Sequence, residues 1–99
     1  MARFDVYANP DGPGYLLDVQ ADLLGALNTR IVVPLIPLAL APIPAKGLNP
    51  VFEIQSGQHV MATQFLSAVP RSLLDKPVTS VLHNDTEIMN ALDMLLTGI

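Results

Sequence analysis

The chain has 99 residues, 51% of them hydrophobic and 14% charged, with nine acidic against five basic residues and a formal net charge of −4; this is the size of one ordinary domain, expected to span residues 1–99. Arg3, Arg30, Lys46, Arg71 and Lys76 are scattered, so no cationic stripe is available to neutralise phosphates, and direct nucleic-acid binding is disfavoured. The absence of cysteine excludes a disulfide scaffold and thiolate metal sites and fits a reducing, cytoplasmic setting.

The segment MARFDVYANPDGPG lacks the basic and apolar regions of a secretory signal, so export by that route is not expected. Arg3 to Tyr7 alternates polar and apolar residues, and Tyr15 to Val19 resumes an apolar run. Two strands are predicted, joined by the turn formers Asn9 to Gly14, with Asp11-Gly12 tolerant of positive φ. Gln20 to Leu27 has no clear period and reads as a short helical turn or loop. A third strand is predicted from Thr29-Arg30 through Ile31-Val32-Val33, ending or reaching a sheet edge at Pro34 and Pro37, which lack the donor of a central ladder. Ile31 to Ala45 is uncharged, yet it falls short of the roughly 20 residues that span a bilayer and carries four prolines, so no membrane segment is expected.

Leu38 to Pro50 reads as a proline-bearing loop. Val51 to Gln55 and Gln58 to Ala62 form the clearest hairpin pattern, turning at Ser56-Gly57. Phe65 to Val69 reads as a further strand, and Arg71 to Lys76, between Pro70 and Pro77, suits a short strand or a turn equally. Asn84 to Glu87 resembles a capping box opening a helix that runs to Leu96. Ile88, Ala91, Leu92 and Leu95 form its apolar face, with Thr86, Asn90, Asp93 and Thr97 opposite. So high an apolar fraction in a short chain implies surface covered by a partner.

No nucleophile sits in an elbow motif, and His59 and His83 are best read as packed or surface histidines. Metal-ligand spacing and a phosphate loop are both lacking, so neither metal nor cofactor is expected. Asp18 and Asp22 suggest a strand end and a turn start rather than an acid/base pair. The C-terminal Leu95-Leu96-Thr97-Gly98-Ile99, an apolar helix end beside a carboxylate, is either a contact element or a frayed tail.

Over essentially the whole chain the residues resemble the CcdB family of toxins. The resemblance is carried by Phe4-Asp5-Val6-Tyr7, Leu17-Asp18-Val19-Gln20-Ala21-Asp22-Leu23-Leu24 and Thr29-Arg30-Ile31-Val32-Val33-Pro34-Leu35. It continues in Met61-Ala62-Thr63-Gln64, Ser67-Ala68-Val69-Pro70 and the closing Gly98-Ile99. It implies a mainly β fold with a C-terminal α-helix: an SH3-like, partly open antiparallel barrel plus a small extra sheet, assembled as a two-fold homodimer. It also implies a type II toxin of the plasmid-maintenance kind that does no chemistry, binds the A subunit of DNA gyrase to trap the enzyme on cleaved DNA, and is neutralised by a CcdA-type antitoxin.

The family's gyrase surface, carried over by position, corresponds to Ala21, Leu23 and Leu24 after the Asp18-Val19-Gln20 strand and to Asp93, Leu96, Thr97, Gly98 and Ile99 at the helix end. Thr97 stands where the family pattern has tryptophan, and Asp93 where it has asparagine, which alters stacking and hydrogen bonding. Antitoxin contacts are expected on the loops carrying Ala8, Asn9, Pro10, Asp11 and Gly12, and Pro44 and Lys46. Two alternatives stay open: a MazF-like mRNA endoribonuclease on the same fold, and a CcdB homologue that has lost gyrase poisoning.

Overall fold

The first hairpin forms as the sequence predicts. Asp5–Ala8 is β1 and Tyr15–Asp18 is β2, with Val6 opposite Leu17, Tyr7 opposite Leu16 and Ala8 opposite Tyr15. In the computed structural model, which describes residues 1–98, β1 starts later than the alternation suggests. Phe4 adopts left-handed backbone at φ 72°, its amide donating to the Asp18 carbonyl at 2.7 Å and its carbonyl accepting from Val81 at 3.0 Å. Its ring is thereby buried with Val6 and Leu17.

Thr29–Pro37 forms β3, and here the sequence expectation is corrected: the strand continues through both prolines. On one side β3 pairs with β2, Val33 opposite Leu17 and Pro34 opposite Leu16. On the other it meets two strands in turn, β5 (Gly57–Met61) and β6 (Ser67–Pro70). Pro34 falls at the junction between them. Its carbonyl accepts from Ala62 at 2.9 Å, while the Ala62 carbonyl, the acceptor a donor at position 34 would have reached, is taken by Phe65 N–H at 2.9 Å. The missing proline donor therefore leaves no orphaned partner. Pro37 closes the strand beyond the end of β2, where no ladder bond is required.

β4 (Val51–Ile54) and β5 form the predicted hairpin, but Ile54 pairs with Gly57. The turn residues are Gln55 and Ser56, at φ 50° and 71°, so the turn lies one position earlier than expected and is of the primed, twist-matching kind. The strand predicted at Phe65 to Val69 is β6, which begins only after a 3-10 turn at Thr63–Phe65. Arg71–Leu73 is a 3-10 turn, and β7 (Thr79–Ser80), which the sequence pattern does not announce, pairs with β1.

The seven strands among the described residues join one antiparallel sheet in the order β4-β5-β3-β2-β1-β7, with β6 beside β5 on β3. The sheet bends into a nearly closed SH3-like barrel, and the β4–β5 hairpin, where a small extra sheet was expected, joins the same sheet through β5 and β3. Period-2 alternation sends side chains to two clusters. Val6, Leu17, Val33, Leu35, Phe52, Ile54 and Met61 form the main core under the helix, and Tyr7, Leu16, Val32 and Leu74 a second on the other face.

The C-terminal helix α1 runs over Asp85–Thr97 and buries Ile88, Ala91 and Leu92 in the main core; a buried side chain of the size of Ile88 or Leu92 contributes about 1.5–3 kcal/mol. Leu95 is only half-buried. The capping box is altered: Asn84 closes a 3-10 turn at Leu82–Asn84, and its Nδ2 donates to Glu87 Oε1 at 3.2 Å instead of its oxygen capping a helix amide. The helix ends at Gly98, left-handed at φ 76°, whose amide donates to the Met94 carbonyl at 3.1 Å. Among the described residues no helix is long and apolar enough to cross a membrane.

Candidate functional site

The segment leaving β2 is built to sit proud of the surface. Val19 still pairs with β3, donating to the Ile31 carbonyl at 3.0 Å, and a 3-10 turn at Asp22–Leu24 then carries the chain back toward Thr29. Ala21, Asp22, Leu23 and Leu24 are all exposed, Leu23 at 93% and Leu24 at 48%. Leucines so placed are held out of the core by the short turn, since its few residues give no reach back to the barrel.

That loop and α1 enclose one groove of about 400 Å³. Its buried or half-buried members are Val19, Ile31, Leu66, Met89 and Leu92, and its exposed apolar members are Ala21, Leu24, Leu27 and Leu96. Arg3 and Asp93 are its charged residues. Arg3 is held in place, its Nε donating to the Val19 carbonyl at 3.3 Å and its Nη2 3.0 Å from Met89 Sδ. Asp93 also lines a second, open cleft of about 610 Å³ with Gly47, Asn90, Met94 and Thr97, so it stands on the crest between the two. Gly47, beside Met94 of α1, is at φ +80°, a backbone conformation that a residue with a side chain rarely adopts.

Of the residues expected at a gyrase surface, Ala21, Leu24, Asp93 and Leu96 meet in the groove. Leu23 projects beside it, Thr97 faces the second cleft, Gly98 is the exposed helix cap, and Ile99 lies outside the described residues. Thr97 Oγ1 donates to the Asp93 carbonyl at 2.7 Å. Sequence reasoning missed Arg3, Leu27, Ile31, Leu66 and Met89; a third leucine, Leu27, close after Leu23 and Leu24 in the sequence was the available signal.

The loops expected to meet an antitoxin are also exposed over Ala8, Pro10, Asp11, Gly12 and Lys46, with Asn9 and Pro44 half-buried. Their hydrogen bonds are local: Asp11 N–H donates to Asn9 Oδ1 at 3.0 Å and Ala45 N–H to Asn49 Oδ1 at 3.1 Å.

Several other polar residues are engaged within the chain. Asp18 and Arg30 are fully buried and paired, Nη2 to Oδ2 at 2.5 Å and Nε to Oδ2 at 2.9 Å, so Asp18 is not half of a carboxylate dyad with Asp22. Burial raises the Asp18 carboxyl above its ordinary range, while the Arg30 guanidinium and the Gln20 amide pull it back. His59 is buried against the Tyr15 ring at 5.0 Å, with Nδ1 2.9 Å from the Gly57 carbonyl. Arg71 donates to the Gly25 carbonyl at 3.1 Å. Among the described residues no cluster of His, Cys, Asp and Glu has the makings of a metal site.

Comparison with known proteins gives two findings. The family described as CcdB protein matches residues 3–98. Among solved structures, the chain is similar to an endoribonuclease in complex with its cognate antitoxin from a mycobacterial species, at a TM-score of 0.76 and 14% identity, over 97% of this chain and 94% of that one; at that identity the likeness is one of fold.

Proposed function

The chain belongs to the CcdB family, and from that premise we propose that it is the toxin of a type II toxin–antitoxin pair that binds the gyrase A protein and holds gyrase on cleaved DNA. The observation that carries this reading is convergence. Ala21 and Leu24 lie far in sequence from Asp93 and Leu96, yet they line one apolar groove, as a protein-docking surface requires. Poisoning needs no toxin chemistry, because a ligand that prefers one conformer of a cycling machine drains the cycle into it.

With Thr97 in place of an aromatic ring, contact rests on the leucine rim and on the exposed Asp93 carboxylate, which suits an arginine of the partner. A cytoplasmic antitoxin of CcdA type covers the same molecule, and an isologous homodimer hides further apolar surface. The endoribonuclease reading is less well supported: Arg30 is locked in a buried ion pair, while Arg3 and Arg71 hold carbonyls of the chain itself.

Calorimetric titration of the intact chain into the dimerisation fragment of gyrase A tests the proposal, with Leu24→Asp and a chain lacking Gly98-Ile99 in parallel. Binding by the intact chain and its loss in both variants is the expected result. Intact protein that leaves a folded fragment unbound overturns the gyrase reading; antitoxin binding alone would then identify a homologue without poisoning, and RNA cleavage by the purified chain an endoribonuclease.

A further inference from the structure

Gln20 is a polar residue in an apolar setting, 6% exposed, and each end of its carboxamide has a backbone partner. Oε1 accepts the Ile31 amide at 3.1 Å, and Nε2 donates to the Leu24 carbonyl at 2.9 Å. Its own amide donates to Oδ1 of Asp18 at 3.1 Å, tying it to the buried ion pair. The first bond replaces the ladder bond that Ile31 would otherwise make to Val19, whose carbonyl is occupied by Arg3. The second grips the loop at Leu24, on the groove rim. Arg3 N–H bonded to Asp22 Oδ1 at 2.8 Å and Arg71 bonded to Gly25 hold the same loop from outside.

We infer that Gln20 is the positioning residue of the docking groove: its carboxamide fixes the leucine-bearing loop 21–24 in the binding geometry before the partner arrives. This rests on the groove being the docking surface. An exposed loop with few apolar anchors of its own would otherwise sample many conformations, and ordering it on binding would cost affinity. The chemistry demanded is specific. One head group must donate to Leu24 and accept from Ile31, which a carboxamide does, a thioether does not, and a carboxyl does only when protonated.

The test compares the full chain with Gln20→Met and Gln20→Glu, all at a temperature where thermal melts show them folded. Amide hydrogen exchange of residues 21–31 reads the brace, and titration of the gyrase A fragment reads docking. Gln20→Met is expected to speed exchange in that segment and weaken binding about tenfold, mainly through entropy. Gln20→Glu is expected to behave likewise at neutral pH and to regain protection and affinity on acidification, relative to wild type at each pH. Unchanged exchange in Gln20→Met, or loosened exchange with unchanged affinity, overturns the inference. Wild-type chain that fails to bind the fragment overturns the gyrase reading instead, and with it the docking role assigned here, while the exchange data still decide whether Gln20 braces the loop.

Discussion

Arg30 and Asp18 sit on apolar strands and face each other in the protein interior, where a charge is tolerated only in company. Asp18→Asn keeps the shape and removes the charge, stranding a guanidinium whose Nη1 already lacks a partner among the described residues. The expected cost is about 3–5 kcal/mol, read as a lower urea midpoint at an unchanged slope. Tyr7, in the second core cluster, has a buried hydroxyl with no partner among the described residues, and burial raises its phenol above the ordinary 10.0. Above that pH the unfolded chain releases the proton first, the native state binds more protons, and stability falls as pH rises toward the native value. Tyr7→Phe should therefore change neutral stability by less than about 1 kcal/mol and flatten the alkaline limb of a stability profile measured from about pH 8 upward.

At the scale of elements, the β4–β5 turn stores the clearest local strain, because two residues that are not glycine occupy left-handed backbone. Gln55 is retained for good reason, since its Nε2 donates to the Val78 carbonyl at 3.1 Å. Ser56 makes no such link across the fold. Ser56→Gly should raise the unfolding free energy by about 1 kcal/mol, seen as a melting temperature higher by roughly 4–8 °C. β3 shows the complementary case, in which a rule about residue type yields to position. Proline is excluded from a ladder only where its donor is needed, and the hand-over from β5 to β6 removes that need at Pro34.

At the scale of the whole molecule, fourteen large apolar side chains are exposed among the described residues. They are unevenly disposed: Leu24, Leu27 and Leu96 surround one groove, while Leu38, Leu40 and Ile43 lie on the proline-rich loop. By itself the sequence determined the hairpins, the β3 start, the helix and its buried Ile88, Ala91 and Leu92, because period and turn chemistry are local properties. Through resemblance it also pointed to a loop and a helix end, of which Ala21, Leu24, Asp93 and Leu96 line one groove. Only the tertiary structure decided what depends on parts distant in the chain: the pairing of Asp18 with Arg30, the two-residue β7, and the placing of Leu24 and Leu96 on one groove. It also decided that Gln20 turns inward to bond the Ile31 amide and the Leu24 carbonyl, since strand pairing, rather than sequence neighbourhood, sets which backbone groups lack partners and which side chain can reach them.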